Sequence, residues 1–180
     1  MKTPVEQFAA LVGTPGNAVP RQDWSEIAGE MGCEIPEDYR QFIDVYGGGQ
    51  LDGYLWVLEP RCAKSPYDLI RLTEECDEAF ALLWEDGEAP PQDLLRAPGS
   101  RVIPWATTDN GEFLYWLAAP GAHPARWPVL VNEARGAWWE RFDVGCADLL
   151  VGLLSGEIRS EILSRSFPLP RHTFEEVGRF

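Results

Sequence analysis

Between residues 101 and 142, aromatic and β-branched runs alternate with turn residues over a short repeat distance, and this rhythm commits that stretch to an antiparallel meander. Residues 102–106 lead through Thr107, Thr108, Asp109, Asn110 and Gly111 into residues 113–118, and Asn110–Gly111 is the strongest short-range hairpin signal in the chain. Residues 127–132 and 137–142 follow, joined at Arg135 and Gly136. If the last of these is a strand, Trp138 and Trp139 must point to opposite faces, so one of them is covered by something other than the same core.

Ahead of the meander the apolar period becomes helical. Val5, Phe8, Leu11 and Val12 share a face and stop at Gly13, with a loop over residues 14–20. Asp23 and Glu26 have the spacing of a capping box before Trp24, Ile27 and Met31, and Gly32 ends that helix. Pro36 suits a first helical position, Glu37 and Asp38 place negative charge where the helix dipole favours it, and Tyr39, Phe42, Ile43 and Tyr46 form the stripe. Gly47, Gly48 and Gly49 close the helix and imply an accessible turn.

Residues 51–58, with Tyr54, Leu55, Trp56 and Val57, read as one buried strand ended by Pro60. Ser65 and Pro66 begin a long helix with Leu69, Ile70, Leu72, Thr73, Cys76, Phe80 and Leu83 inside and Glu74, Glu75, Asp77, Glu78, Glu85, Asp86 and Glu88 on or near its exposed side. Residues 88–99 read as a loop. A helix built on Leu149, Leu150, Leu153 and Leu154 follows Gly145, Ile158, Ile162 and Leu163 suggest another, and residues 167–180 form a Pro-broken, irregular tail. The order of elements predicts an α+β fold, with a mainly antiparallel sheet of about five strands and helices packed on one side. No internal repeat or long polar linker divides residues 1–180, so one domain is expected.

Fifteen Lys and Arg against 29 Asp and Glu leave a formal charge of −14. A polyanion would be repelled, which argues against direct nucleic-acid binding, whereas a basic protein would be attracted. Neither a signal peptide nor an apolar run of bilayer length is evident, so a cytoplasmic location is expected. Four scattered Cys without a CxxC pair suggest free thiols.

Chemical motifs are missing. There is no GxSxG elbow, phosphate-binding glycine loop, HExxH or GxGxxG, and His123 and His172 lie apart in a Pro-flanked loop and the tail. No catalytic residue, cofactor or metal is expected. The carboxylates after Thr73 lack EF-hand spacing and fit a solvated helix face better than paired catalytic acids.

Trp24, the run from Gly32 through Cys33, Glu34, Ile35, Pro36, Glu37, Asp38, Tyr39, Arg40, Gln41 and Phe42, and the ending Tyr46–Gly47–Gly48–Gly49 together resemble the SUKH superfamily. Gly111–Glu112 before Phe113, Leu114, Tyr115 and Trp116, and the Leu-rich segment from Leu149 to Leu154, extend the resemblance over residues 21–156. Residues 1–20 and 157–180 lie outside it. The superfamily includes bacterial immunity proteins and fungal cell-wall assembly regulators. The resemblance therefore implies a non-enzymatic, protein-binding domain that neutralises a cognate toxin; a scaffold for a housekeeping partner is the alternative.

On that reading Glu74, Glu75, Glu78 and Glu85 are the expected docking carboxylates, with Tyr54 and Trp139 as aromatic anchors. A third possibility is a small-ligand site on the sheet face near Trp105, Asp109 and Trp116; a filled face there would argue against it.

Overall fold

The computed structural model describes residues 2–87, 90–134 and 136–179. Glu88 of the carboxylate-rich helix end, Arg135 of the expected turn and Phe180 of the tail lie outside them. The class is α+β, built on a seven-stranded antiparallel sheet in the order β6-β5-β4-β3-β2-β1-β7. The strands are β1 (Gly49–Leu51), β2 (Leu55–Val57), β3 (Arg101–Thr108), β4 (Phe113–Ala118), β5 (Val129–Asn132), β6 (Trp139–Phe142) and β7 (Phe174–Glu176). Thus β1 to β6 form a meander in chain order, and β7 returns beside β1.

Two strands beyond the expected five come from signals that the apolar pattern concealed. Residues 51–58 are a hairpin, not one strand, because Asp52 and Gly53 both take positive φ, 51° and 65°, as the tight turn of a hairpin demands. Tyr54 N–H closes the turn on Leu51 O at 3.0 Å. The other extra strand is β7, which lies in the tail expected to be irregular and pairs Phe174 with Leu51. Asp52 secures the return: it accepts from Leu169 N–H at 3.0 Å and Thr173 N–H at 2.8 Å, and its Oδ2 lies 2.9 Å from His172 Nδ1.

The three glycines after α3 (Glu37–Tyr46) are buried, so the turn is not accessible. A Cβ at Gly49 would sit 2.4 Å from Glu175 O, so the last glycine is required by the close approach of β7.

At the sharpest turn of the meander, Gly111 N–H bonds to Thr108 O at 3.0 Å, with Gly111 at φ 92°. The β3–β4 register slips between Pro104 and Ala106, where proline cannot donate to the ladder.

Strand alternation divides the apolar side chains into two cores. On one face Leu55, Ile103, Leu114, Trp116, Val129 and Val131 meet α1 (Pro4–Val12), α2 (Trp24–Met31), α3 and α6 (Cys146–Ser155). On the other, Val102, Tyr115, Leu117 and Leu130 meet Cys76, Phe80 and Trp84 of α4 (Leu69–Glu85) and Leu94 of α5 (Gln92–Arg96). Helices therefore cover both faces, correcting the one-sided arrangement, and α5 interrupts the loop expected over residues 88–99. Trp139 belongs to this second core, and Trp138, 45% exposed, points away from it.

Helix starts differ in detail from the sequence reading. α1 has a full capping box, Thr3 with Glu6. At α2, Asp23 accepts from Ser25 and Glu26 N–H groups, both at 3.1 Å, but the Glu26 carboxylate goes to Arg61 at 3.0 Å, so no box closes. Pro36 is the N-cap of α3 and not its first helical residue. Ser65–Tyr67 is a separate 3-10 turn, after which Asp68 caps α4 by accepting from Ile70 N–H at 3.0 Å.

No helix forms around Ile158 and Ile162. The Ile162 and Leu163 N–H groups bond to Ser160 Oγ, both at 3.1 Å, and Glu161 N–H bonds to the Glu140 carboxylate at 2.7 Å. These side-chain acceptors replace the i−4 carbonyls that a helix would use.

Candidate functional site

α4 lays its apolar stripe on the second sheet face, and its 3.6-residue period sends the intervening acids outward. Glu74, Glu75, Asp77, Glu78 and Glu85 are all exposed, as expected. Leu83, expected inside, is 39% exposed because the inner stripe runs through Cys76, Phe80 and Trp84 at four-residue spacing, which leaves Leu83 off it. Glu75 pairs with Arg71 at 2.7 Å and Asp77 with Arg101 at 2.6 Å. Among the described residues Glu74, Glu78 and Glu85 have no ion-pair partner, leaving a ridge of uncompensated negative charge.

The two aromatic candidates do not join that ridge as free side chains. Tyr54 is half-buried, donates its hydroxyl to Glu112 Oε2 at 3.0 Å and accepts from Ser164 N–H at 3.0 Å, tying the hairpin turn to the C-terminal segment. Trp139 is half-buried, with its ring 5.4 Å from Tyr115 and 6.0 Å from Phe80. Beside the chain's own core both have structural partners, and the more exposed indole of the adjacent pair is Trp138.

The sheet face around Trp105, Asp109 and Trp116 is filled. Trp105 and Trp116 are 0% and 1% exposed, and Asp109 accepts from Trp56 Nε1 at 2.7 Å and Gln50 Nε2 at 3.1 Å. A cavity of about 300 Å³ opens instead at one border of this core, where α3 and α6 begin. Trp116, Trp127 and Pro124 form apolar walls, and Glu37, Asp38 and Asp148 supply carboxylates.

Asp38 Oδ2 accepts from Ala147 N–H at 3.0 Å and lies 3.3 Å from Cys146 Sγ, so a carboxylate from one helix caps the start of another. Gly145 permits this approach: a Cβ there would lie 2.6 Å from that oxygen. Partial burial, and then the Asp38 charge, raise the Asp148 carboxyl above the usual aspartate range.

Sequence reading missed this cavity because Glu37–Asp38 and Gly145 each carry a sufficient local explanation as helix starts. Their meeting across 109 positions is tertiary. Their shared character, two helix starts each bearing an acid, is the one signal available in advance.

The four cysteines are free, and burial raises the pKa of each, that of Cys76 to about 11. All four are therefore held as thiols, the form without nucleophilic strength. No group of three or more His, Cys, Asp or Glu able to hold a metal occurs among the described residues. His123 caps a short turn by accepting from Ala125 N–H at 3.2 Å. No helix among the described residues is long and apolar enough to cross a membrane.

The model of the SMI1 / KNR4 family (SUKH-1) matches residues 18–137, which is more than half of the chain. No curated protein and no solved structure matches it.

Proposed function

Because the chain belongs to the SMI1 / KNR4 family (SUKH-1), we propose that it is an immunity protein that acts in the cytoplasm by binding and neutralising a cognate toxin domain. It works without catalysis: its surface occupies the partner and performs no reaction. The observation that carries this reading is the α4 ridge, where Glu74, Glu78 and Glu85 face solvent without ion-pair partners among the described residues, on a chain of formal charge −14. Such a ridge costs the fold little, since water solvates it, yet it accelerates encounter with a basic surface. Glu75, though paired with exposed Arg71, exchanges partners at small cost because a surface ion pair contributes only about 0–1 kcal/mol.

In the bound state, affinity comes from aromatic and apolar groups that exclude water, and the charges set rate and orientation. Tyr54, half-buried at the hairpin turn, and Trp139, half-buried on the second sheet face, are the proposed anchors. The test is co-expression of the protein with the toxin domains encoded beside its gene. Rescue of growth and co-purification of a complex that weakens with salt are the expected results. Failure of every such toxin to bind or be neutralised refutes the reading.

A further inference from the structure

Antiparallel pairing fixes which backbone groups of β7 are used. Asp52 N–H bonds to Thr173 O at 2.9 Å and Val177 N–H to Gly48 O at 3.0 Å, so residues 173, 175 and 177 turn their groups toward β1. The alternate residues turn theirs away from it. Phe174 N–H, Phe174 O and Glu176 N–H therefore face outward, and among the described residues none of the three bonds to another part of the chain. The strand is nevertheless held in place, with the Phe174 ring 5.5 Å from that of Tyr46 and 5.6 Å from that of Phe42.

The chain does not close over this border. Two depressions, of about 670 and 170 Å³, share Val12, Gly13 and Phe174 and so adjoin on the side of β7 away from β1. One wall is the end of α1, where Leu11 is 38% exposed, with residues 14–16 after it; the other is residues 170–176. The result is a trough with apolar walls and, along one side, a row of unused backbone groups. Such a row is complementary to another extended backbone, whose donors and acceptors recur at the same spacing.

Charge selects among extended segments. α1 has no basic residue in its last turn, so its final carbonyls present the negative end of the helix dipole to the trough, and Glu175 and Glu176 add two carboxylates. Arg171 is one cation against them, and His172 is already engaged with Asp52. A second copy of the chain is the wrong occupant, because β7 against β7 would bring Glu175 and Glu176 close to their counterparts, and like charges across a strand pair are destabilising.

We propose that β7 is extended on its open side by an extended segment of the protein partner that bears Lys or Arg, its backbone pairing with Phe174 and Glu176 and an apolar side chain lying between Leu11 and Phe174. The assignment rests on the protein-binding reading above, and it gives that reading a contact independent of α4.

The probe is the acetylated and amidated peptide Thr-Lys-Val-Lys-Val-Lys, titrated into the full chain labelled with ¹⁵N, and the Phe174 and Glu176 amide resonances are followed. The expected result is a saturable shift of both, with affinity at least about fivefold lower for the same peptide N-methylated at every residue, which keeps the charge and loses the donors. The Glu175→Gln/Glu176→Gln variant should also bind at least about fivefold more weakly, whereas Glu74→Gln/Glu78→Gln should bind as the parent does. Unmoved Phe174 and Glu176 amides, equal binding of the N-methylated peptide, or equal loss in the α4 variant overturns the proposal. So does a dimer in sedimentation whose formation shifts these two amides without peptide, since the occupant would then be a second copy.

These titrations require no toxin, so they stand if no neighbouring toxin is neutralised. Neutralisation by a complex in which the Phe174 and Glu176 amides exchange hydrogen as fast as in the free chain, in contrast, overturns the part of β7 in partner recognition while leaving the immunity reading intact.

Discussion

Around Asp52 the chain itself occupies both carboxylate oxygens, through Leu169, His172 and Thr173, and the side chain is 0% exposed. Along α4, Glu74, Glu78 and Glu85 stand in water, without ion-pair partners among the described residues. The two groups carry the same charge, but one holds the fold together and the other does nothing for it. A buried carboxylate is expensive unless every oxygen is satisfied, so Asp52 is tolerated only because the C-terminal segment supplies donors. An exposed carboxylate needs no such support and is free to serve an encounter.

The sharpest way to break this contrast is to exchange the fates of the two groups. Asp52→Ala removes a buried carboxylate that accepts from two part-buried backbone N–H groups and should destabilise the protein by about 2 kcal/mol, read by urea unfolding. An unchanged midpoint would place Asp52 with the α4 acids. Gly49→Ala attacks the same junction from the partner strand: its methyl group would meet Glu175 O at 2.4 Å, and a loss of about 2 kcal/mol with faster hydrogen exchange in β7 is expected.

Reversing Glu74, Glu78 and Glu85 to Lys should leave stability within about 0.5 kcal/mol yet slow association with a basic partner roughly tenfold at low salt, as stopped-flow mixing would show. Unaltered association rates would reduce the ridge to a solubility device.

The smallest effect concerns Glu59, half-buried near Gly48, whose carboxyl burial raises above the usual glutamate range. Its folded value exceeds its unfolded one, so the native state binds the proton more tightly, and this residue's contribution to stability falls as pH rises from the ordinary glutamate range through the raised value. Glu59→Gln should flatten that part of the stability–pH curve; an unaltered slope would show that Glu59 is solvated as fully as the α4 acids.

What sequence could disclose follows the same division between local and distant causes. The meander from β3 to β6 is legible because alternation and turn residues act over a few positions, and the α4 ridge because a helical period sorts acids from apolar residues. The hairpin at Asp52–Gly53 was also local, yet an uninterrupted apolar run from Leu55 to Leu58 outweighed its turn signal. β7 could not be read from Phe174, Glu175 and Glu176, two of them acidic and all beyond a Pro-rich stretch, because its strand character comes from β1. The same holds for Tyr54, whose exposed-looking aromatic ring is claimed by Glu112, Ser164 and Phe167, far along the chain.

The placement of β7 also has a consequence in time. β1 leaves the ribosome long before Phe174–Glu176 is made, and at about 5–20 residues per second the delay is on the order of ten seconds. Throughout that interval the outer border of β1 is a row of open backbone groups, competent to pair with a stray strand of any nascent neighbour. Completion of the sheet is thus a late event in biosynthesis, and crowding on a polysome is a condition that exposes this open border to mispairing.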